Sequence, residues 1–224
     1  MSLDRSQRLI ISYLTMRRFI GLLGVALPII LISGSLFFSG PKLQYSISGY
    51  YYTNMRDFFV GLLCIVSLFL ISYQGYEKVD SIVGNIAGFS ALGMILFPTT
   101  MYSSKSVDVG IFLIDDDISG YIHMSFATFF FLALAYNALF LFTKRSSTII
   151  SKEKRRRNIL YRTCGVVMIL SMSFIFIYKI YLEDTRVHEI YPILIFESTA
   201  LLAFGISWLV KGNTFFKDQK SNFI

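Results

Sequence analysis

Residues 190–210 read IYPILIFESTALLAFGISWLV, with Glu197 as the only charge in the stretch. A bilayer presents about 30 Å of hydrocarbon, which about 20 apolar helical residues cross. The stretch has that length and that composition. Five more apolar runs precede it, at 19–38, 58–76, 82–101, 122–142 and 163–181. Together they predict an all-α, polytopic membrane protein: a six-transmembrane-helix bundle forming a single domain over residues 1–224. A water-soluble bundle is excluded, because too few residues remain outside the runs to cover helices that are apolar all round. The chain is 16% charged, against roughly 25% in a soluble domain.

Charge placement orients the chain. Of the 21 Lys and Arg, all but Lys42, Arg56, Lys105, Lys179 and Arg186 fall at one end of the predicted bundle. The positive-inside rule makes that end cytoplasmic, with both termini and the connection between runs four and five. The N-terminal basic segment leads into a full-length run containing Pro28, with no short apolar core and small-residue cleavage site, so it reads as a retained signal anchor. The densest basic run, from Lys152 to Arg157, underlies much of the net charge of +7. It has no interleaved aromatics and no DNA-binding motif. It therefore predicts contact with anionic membrane lipid rather than nucleic acid, with a cytoplasmic protein partner as the alternative. A homo-oligomer is also compatible with the pattern.

The connections and small residues add detail. The outer connection 39–57 is rich in tyrosine (Tyr45, Tyr50, Tyr51, Tyr52) and predicts a cap or short interfacial helix. The connection 102–121 carries Asp108 and the run Asp115, Asp116, Asp117. Gly84, Gly88 and Ala91 predict run three at the bundle centre. Gly21, Gly24 and Ala26 in run one, with Ser198, Ala203 and Gly205 in run six, mark close helix approaches. Pro98 ends or kinks run three and leaves Thr99 and Thr100 at the outer surface. Cys64 and Cys164 fall at different depths, which predicts free thiols.

Ionisable groups inside a span are costly and mark function by default. Here they sit almost entirely towards the outer side: Arg56 and Asp57 open run two, His123 opens run four, and Lys179 lies in the last turn of run five. Glu197 is deepest, about 10 Å past Ile190 at 1.5 Å per residue. Its carboxylate needs a partner there, and Lys179, Arg56 and His123 are available at comparable depth. A structural hydrogen bond or ion pair is the plainer reading of Glu197, as a solvated helix start is of Arg56 and Asp57. The coincidence of Asp57, His123 and Glu197 from three helices in one leaflet favours a ligand-binding site, with Arg56, Tyr50 and Tyr51 beside it. Metal chemistry is disfavoured. The chain has two histidines, His123 and His188, no His-x-x-x-His pair, and too few ligands for a zinc site. A Ser–His–Asp set could be drawn from Ser46 or Ser48, His123 and Asp57, but any serine-rich loop allows that. No P-loop, dinucleotide fingerprint or haem-ligating pair is present, so no cofactor is expected.

The string from Ser46 through Gly49, Tyr50, Met55, Arg56, Asp57 and Phe58 to Gly61 resembles a bacterial family of six-helix membrane proteins of unassigned function. Phe97-Pro98-Thr99, His123 and the ending Phe204-Gly205 to Lys211-Gly212 resemble that family's other blocks. The architecture is loosely similar to DRAM/Sfk-type membrane proteins. The resemblance implies a multi-pass protein of the bacterial inner membrane and brings no reaction, ligand or catalytic residue.

Three functions compete. The first is a membrane protein with an outward-facing polar pocket that binds a lipid headgroup or small ligand, as sensor, carrier or accessory subunit. The second is a membrane-embedded lipid hydrolase using His123 with Asp57 or Glu197. The third is a transporter, which the lack of ionisable groups in the inner half of the spans disfavours.

Overall fold

The computed structural model describes residues 5–38, 40, 43–75, 77–101, 108–144, 151–182 and 190–214, with side chains from residue 13 onward. Arg145, Arg186, His188, Lys42, Lys105, Lys217 and Lys220 lie outside them. The protein is all-α. The described residues form six helices, α1 (Arg5–Phe38), α2 (Arg56–Ile71), α3 (Lys78–Leu96), α4 (Asp116–Tyr136), α5 (Lys152–Tyr181) and α6 (Pro192–Lys211). A π-helical turn, Asn137–Leu141, continues α4. A two-stranded hairpin, β1 (Asp108–Val109) with β2 (Ile114–Asp115), precedes it. Among the described residues, five helices are long and apolar enough to cross a membrane. The exception, α2, has 16 residues, or roughly 24 Å of helix.

The helices close a ring in which each packs on its sequence neighbours and α6 returns to α1. The close approaches follow the small residues. A Cβ on Gly205 would sit 2.6 Å from the Gly21 carbonyl oxygen and 2.7 Å from the Val25 amide, so α1 and α6 touch backbone to backbone. The expectation that run three occupies the bundle centre is corrected. Gly84 and Gly88 face the Leu70 and Ser67 carbonyls of α2, and Ser67 Oγ donates to Gly88 O over 2.8 Å. Small residues report a tight contact with one neighbour, and α3 lies between α2 and α4 like any other member of the ring.

Helix ends shift for local reasons. Run four begins at Asp116 rather than 122, because the Asp115 carboxylate accepts from the Asp117 and Ile118 amides. The acidic run thus serves a helix start, where negative charge is favoured. From Lys152 to Arg162 the basic connection is helix rather than loop. Ser151 Oγ caps it at the Lys154 amide, and Lys and Arg are good helix formers. Within that run Lys152, Arg155 and Arg156 are exposed, whereas Arg157 turns into the protein. Run two stops at Ile71, and Tyr73 then packs inward at 1% exposure.

Three ties gather chain segments at one end. Tyr13 donates its hydroxyl to the Gln74 carbonyl, Arg18 Nε donates to Gly212 O over 2.8 Å, and Lys144 pairs with Glu77 at 2.7 Å. The first turns of the bundle, the α2–α3 turn, the α4–α5 connection and the end of α6 therefore share one end. Both cysteines are free, Cys164 buried and Cys64 half-buried.

Candidate ligand-binding cavity

At the opposite end the connection after α1 folds down into the bundle. Its Ser48–Tyr52 stretch is one turn of 3₁₀ helix, and three hydrogen bonds seat it. The Ile47 amide donates to Glu197 Oε2 over 2.6 Å, Ser48 Oγ lies 2.9 Å from His123 Nε2, and the Tyr52 hydroxyl donates to the Thr99 carbonyl over 2.7 Å. Burial pushes the Tyr52 hydroxyl up to about 12, with nearby Tyr51 and Asp116 adding to the rise, so it remains a donor. The expected cap exists, but its tyrosines do not stand at the surface. Tyr50 is fully buried and Tyr51 nearly so, both within the main apolar core.

His123 is buried at 3% exposure. Its Nδ1 faces two carbonyl oxygens, of Phe97 at 2.9 Å and Met94 at 3.1 Å. Carbonyls only accept, so Nδ1 carries the proton and Nε2 accepts from the Ser48 hydroxyl. Pro98 produces this arrangement. α3 ends at Leu96, Phe97 becomes extended, and the freed carbonyls turn towards α4, where Ser119 Oγ also donates to Pro98 O over 2.7 Å.

Beside these residues lies a cavity of about 490 Å³. Lys179 from the end of α5, Glu197 from α6, His123 and Asp117 from α4, and Thr99 and Thr100 after α3 all line it. Ser46 from the cap and Tyr121 add hydroxyls, while Met124, Ile180 and Ile193 give an apolar wall. Gly120 lets Thr100 pack closely against α4, since a Cβ there would run into the Thr100 hydroxyl. A second cavity of about 30 Å³ meets the first at Ala127 and Glu197, with Ser48 and otherwise apolar side chains around it.

Of the candidate residues, the fold brings His123 and Glu197 to one cavity. Arg56 and Asp57 do not line it. Both are exposed at the start of α2, where Arg56 stacks on Tyr51, 4.5 Å from the ring centroid, and donates to its hydroxyl over 2.9 Å. Tyr50 and Tyr51 are core residues rather than lining. Glu197 takes its short hydrogen bond from the cap backbone and not from Arg56, because the connection reaches down to it. The part played by Thr99, Thr100 and Ser46 was missed in the sequence. Its signal was there in Pro98, which stops a helix one residue before two hydroxyl side chains. Asp115, Asp116 and Asp117 bring their carboxylates close together, but the helix start accounts for them. The chain matches no protein-family model, no curated protein and no solved structure.

Proposed function

We propose that this chain is a six-span protein of the bacterial inner membrane, with both termini cytoplasmic, whose outward-facing cavity binds a lipid headgroup or small polar ligand. It would act as a sensor, carrier or accessory subunit. The observation that carries the reading is the 490 Å³ cavity holding Lys179, Glu197 and His123 under a hydrogen-bonded cap. Ligand sites have about that volume, with a few placed polar groups in an apolar surround. The same-end ties support six spans, since they require α2 to run the length of the bundle although it is short. The basic asymmetry supplies the side. Exposed Lys152, Arg155 and Arg156 would meet anionic lipid there. Labelling of single cysteines at Ser104 and Ser147, both outside the described residues, should place Ser147 inside and Ser104 outside. Both on one side would reject the topology. For the cavity, His123→Ala and Glu197→Gln should abolish cellular activity or ligand capture while the protein still purifies as a folded species.

One observation favours a second reading, a membrane-embedded hydrolase. Ser48 Oγ donates to His123 Nε2 at 2.9 Å, and Nδ1–H is held by backbone carbonyls. That is the geometry of a nucleophile with an oriented base, with carbonyls in the place expected for Asp57 or Glu197. Covalent labelling of Ser48 by a fluorophosphonate, lost in His123→Ala, would put this reading first. No labelling would leave the binder.

A further inference from the structure

We infer that the outer cavity takes a zwitterion, a ligand carrying a primary ammonium and a phosphate or carboxylate on a short linker. The inference rests on the reading of the cavity as a binding site and adds the chemistry of its occupant. Three charged side chains line one space in the bundle: Lys179 and Glu197, of opposite sign, and Asp117, which is exposed to solvent; Lys179 makes no ion pair among the described residues. In a low-dielectric site such charges either close on each other or receive complementary groups between them. A simple anion would satisfy Lys179 and be repelled by Glu197, and a simple cation the reverse. A zwitterion satisfies both. The volume agrees, since about 30 Å³ per water in the liquid makes 490 Å³ far larger than one bridging water needs.

Local chemistry assigns the two ends. Glu197 accepts from the Ile47 amide and also from the Ser48 backbone, and a carboxylate still has further acceptor positions for an N–H⁺ donor. A quaternary ammonium has no N–H and cannot use them. Lys179 brings three donors, and the hydroxyls of Thr99, Thr100 and Tyr121 on the same lining suit the oxygens of a phosphate or carboxylate. His123 adds no charge contact, because both its nitrogens are already engaged. Ile180 lines the cavity and is 54% exposed, which gives an amphiphile's chains an apolar exit.

The test is binding to the purified full chain in detergent by calorimetry and thermal shift. Dihexanoyl phosphatidylethanolamine, phosphatidylcholine, phosphatidylglycerol and free phosphoethanolamine are the probes. Phosphatidylethanolamine should bind, with the choline and glycerol lipids weaker by about tenfold or more, the cost of a lost charge-assisted hydrogen bond. Glu197→Gln, which keeps an acceptor for Ile47, should abolish the preference for the primary amine. Lys179→Gln should weaken the ethanolamine lipid by a similar factor. If free phosphoethanolamine binds as tightly as the lipid, the occupant is a soluble zwitterion. If it binds far more weakly, the occupant is a lipid. Equal binding of ethanolamine and glycerol lipids, both lost in Glu197→Gln, would overturn the zwitterion while leaving a binding cavity. Binding of none of the probes would overturn both.

Discussion

The two ends of the bundle handle charge in opposite ways. At the end holding the first and last helical turns, cations lie on rings and carbonyls. Arg17 stacks over Tyr13 at 4.1 Å and donates to the Tyr13 and Tyr73 hydroxyls at 2.9 and 3.2 Å. Lys211 sits 4.9 Å from the Phe142 ring centroid, and Lys154 donates to the Phe142 carbonyl. Trp208, fully buried, meets Tyr73 and Phe142 edge to face. At the other end Lys179, Glu197 and a row of hydroxyls surround a void. Polar groups spent on each other hold helices together, whereas polar groups around a space can hold something else. The first end is built for cohesion, and under the proposed function the second is for occupancy.

The largest expected effect tests the cohesive end. Trp208→Ala removes a fully buried ring contacting three aromatic neighbours and should cost about 3–5 kcal/mol in a detergent unfolding titration. Ligand binding by the remaining folded fraction should be unchanged, and a parallel loss of affinity would show that the two ends are not separable. Next comes Glu197→Leu, which strands the Ile47 amide, for about 1–3 kcal/mol. Glu197→Gln should retain most of that stability, so equal losses in both variants would make the carboxylate's charge structural and blur the contrast. A smaller effect, about 1 kcal/mol, is expected from Tyr52→Phe, which deletes the hydrogen bond to Thr99 O. Faster amide exchange should accompany it in residues 48–52 and nowhere in α6.

The smallest effect concerns the exposed Lys144–Glu77 pair. Its hydrogen bond to Glu77 raises the lysine pKa. Any stability it adds is therefore complete below the ordinary lysine value and fades as the pH climbs through the raised one. Lys144→Gln at pH 7 should leave the melting temperature unmoved, as for most exposed pairs. A clear drop would mean that the tie between connections is part of the cohesive end.

Legibility in the sequence tracked the range of the physics. Helix existence rests on about 20 apolar residues in a row, a local property, and the six runs correspond to the six helices. Pro98 forecast where α3 ends, and small residues forecast close approaches on α1 and α6, though not that these two helices meet. Helix starts were less legible. Asp115 and Ser151 are ordinary polar residues until their side chains are seen to accept from the next turn. The order of residues set Glu197, deep in its run, apart from Arg56 and Asp57 at a helix start, but it did not show that only Glu197 would line the cavity.

What the sequence determined by itself was the all-α class, and apolar runs of a length compatible with a multi-pass membrane protein. These follow from hydropathy and charge summed along short windows. The tertiary structure decided which polar residues share a space. The 39–57 connection had to fold into the bundle before Ile47 could meet Glu197 and Ser48 could meet His123, pairs 150 and 75 residues apart. Such contacts depend on the ring order of the helices and on the depth of one loop. No window along the chain contains either.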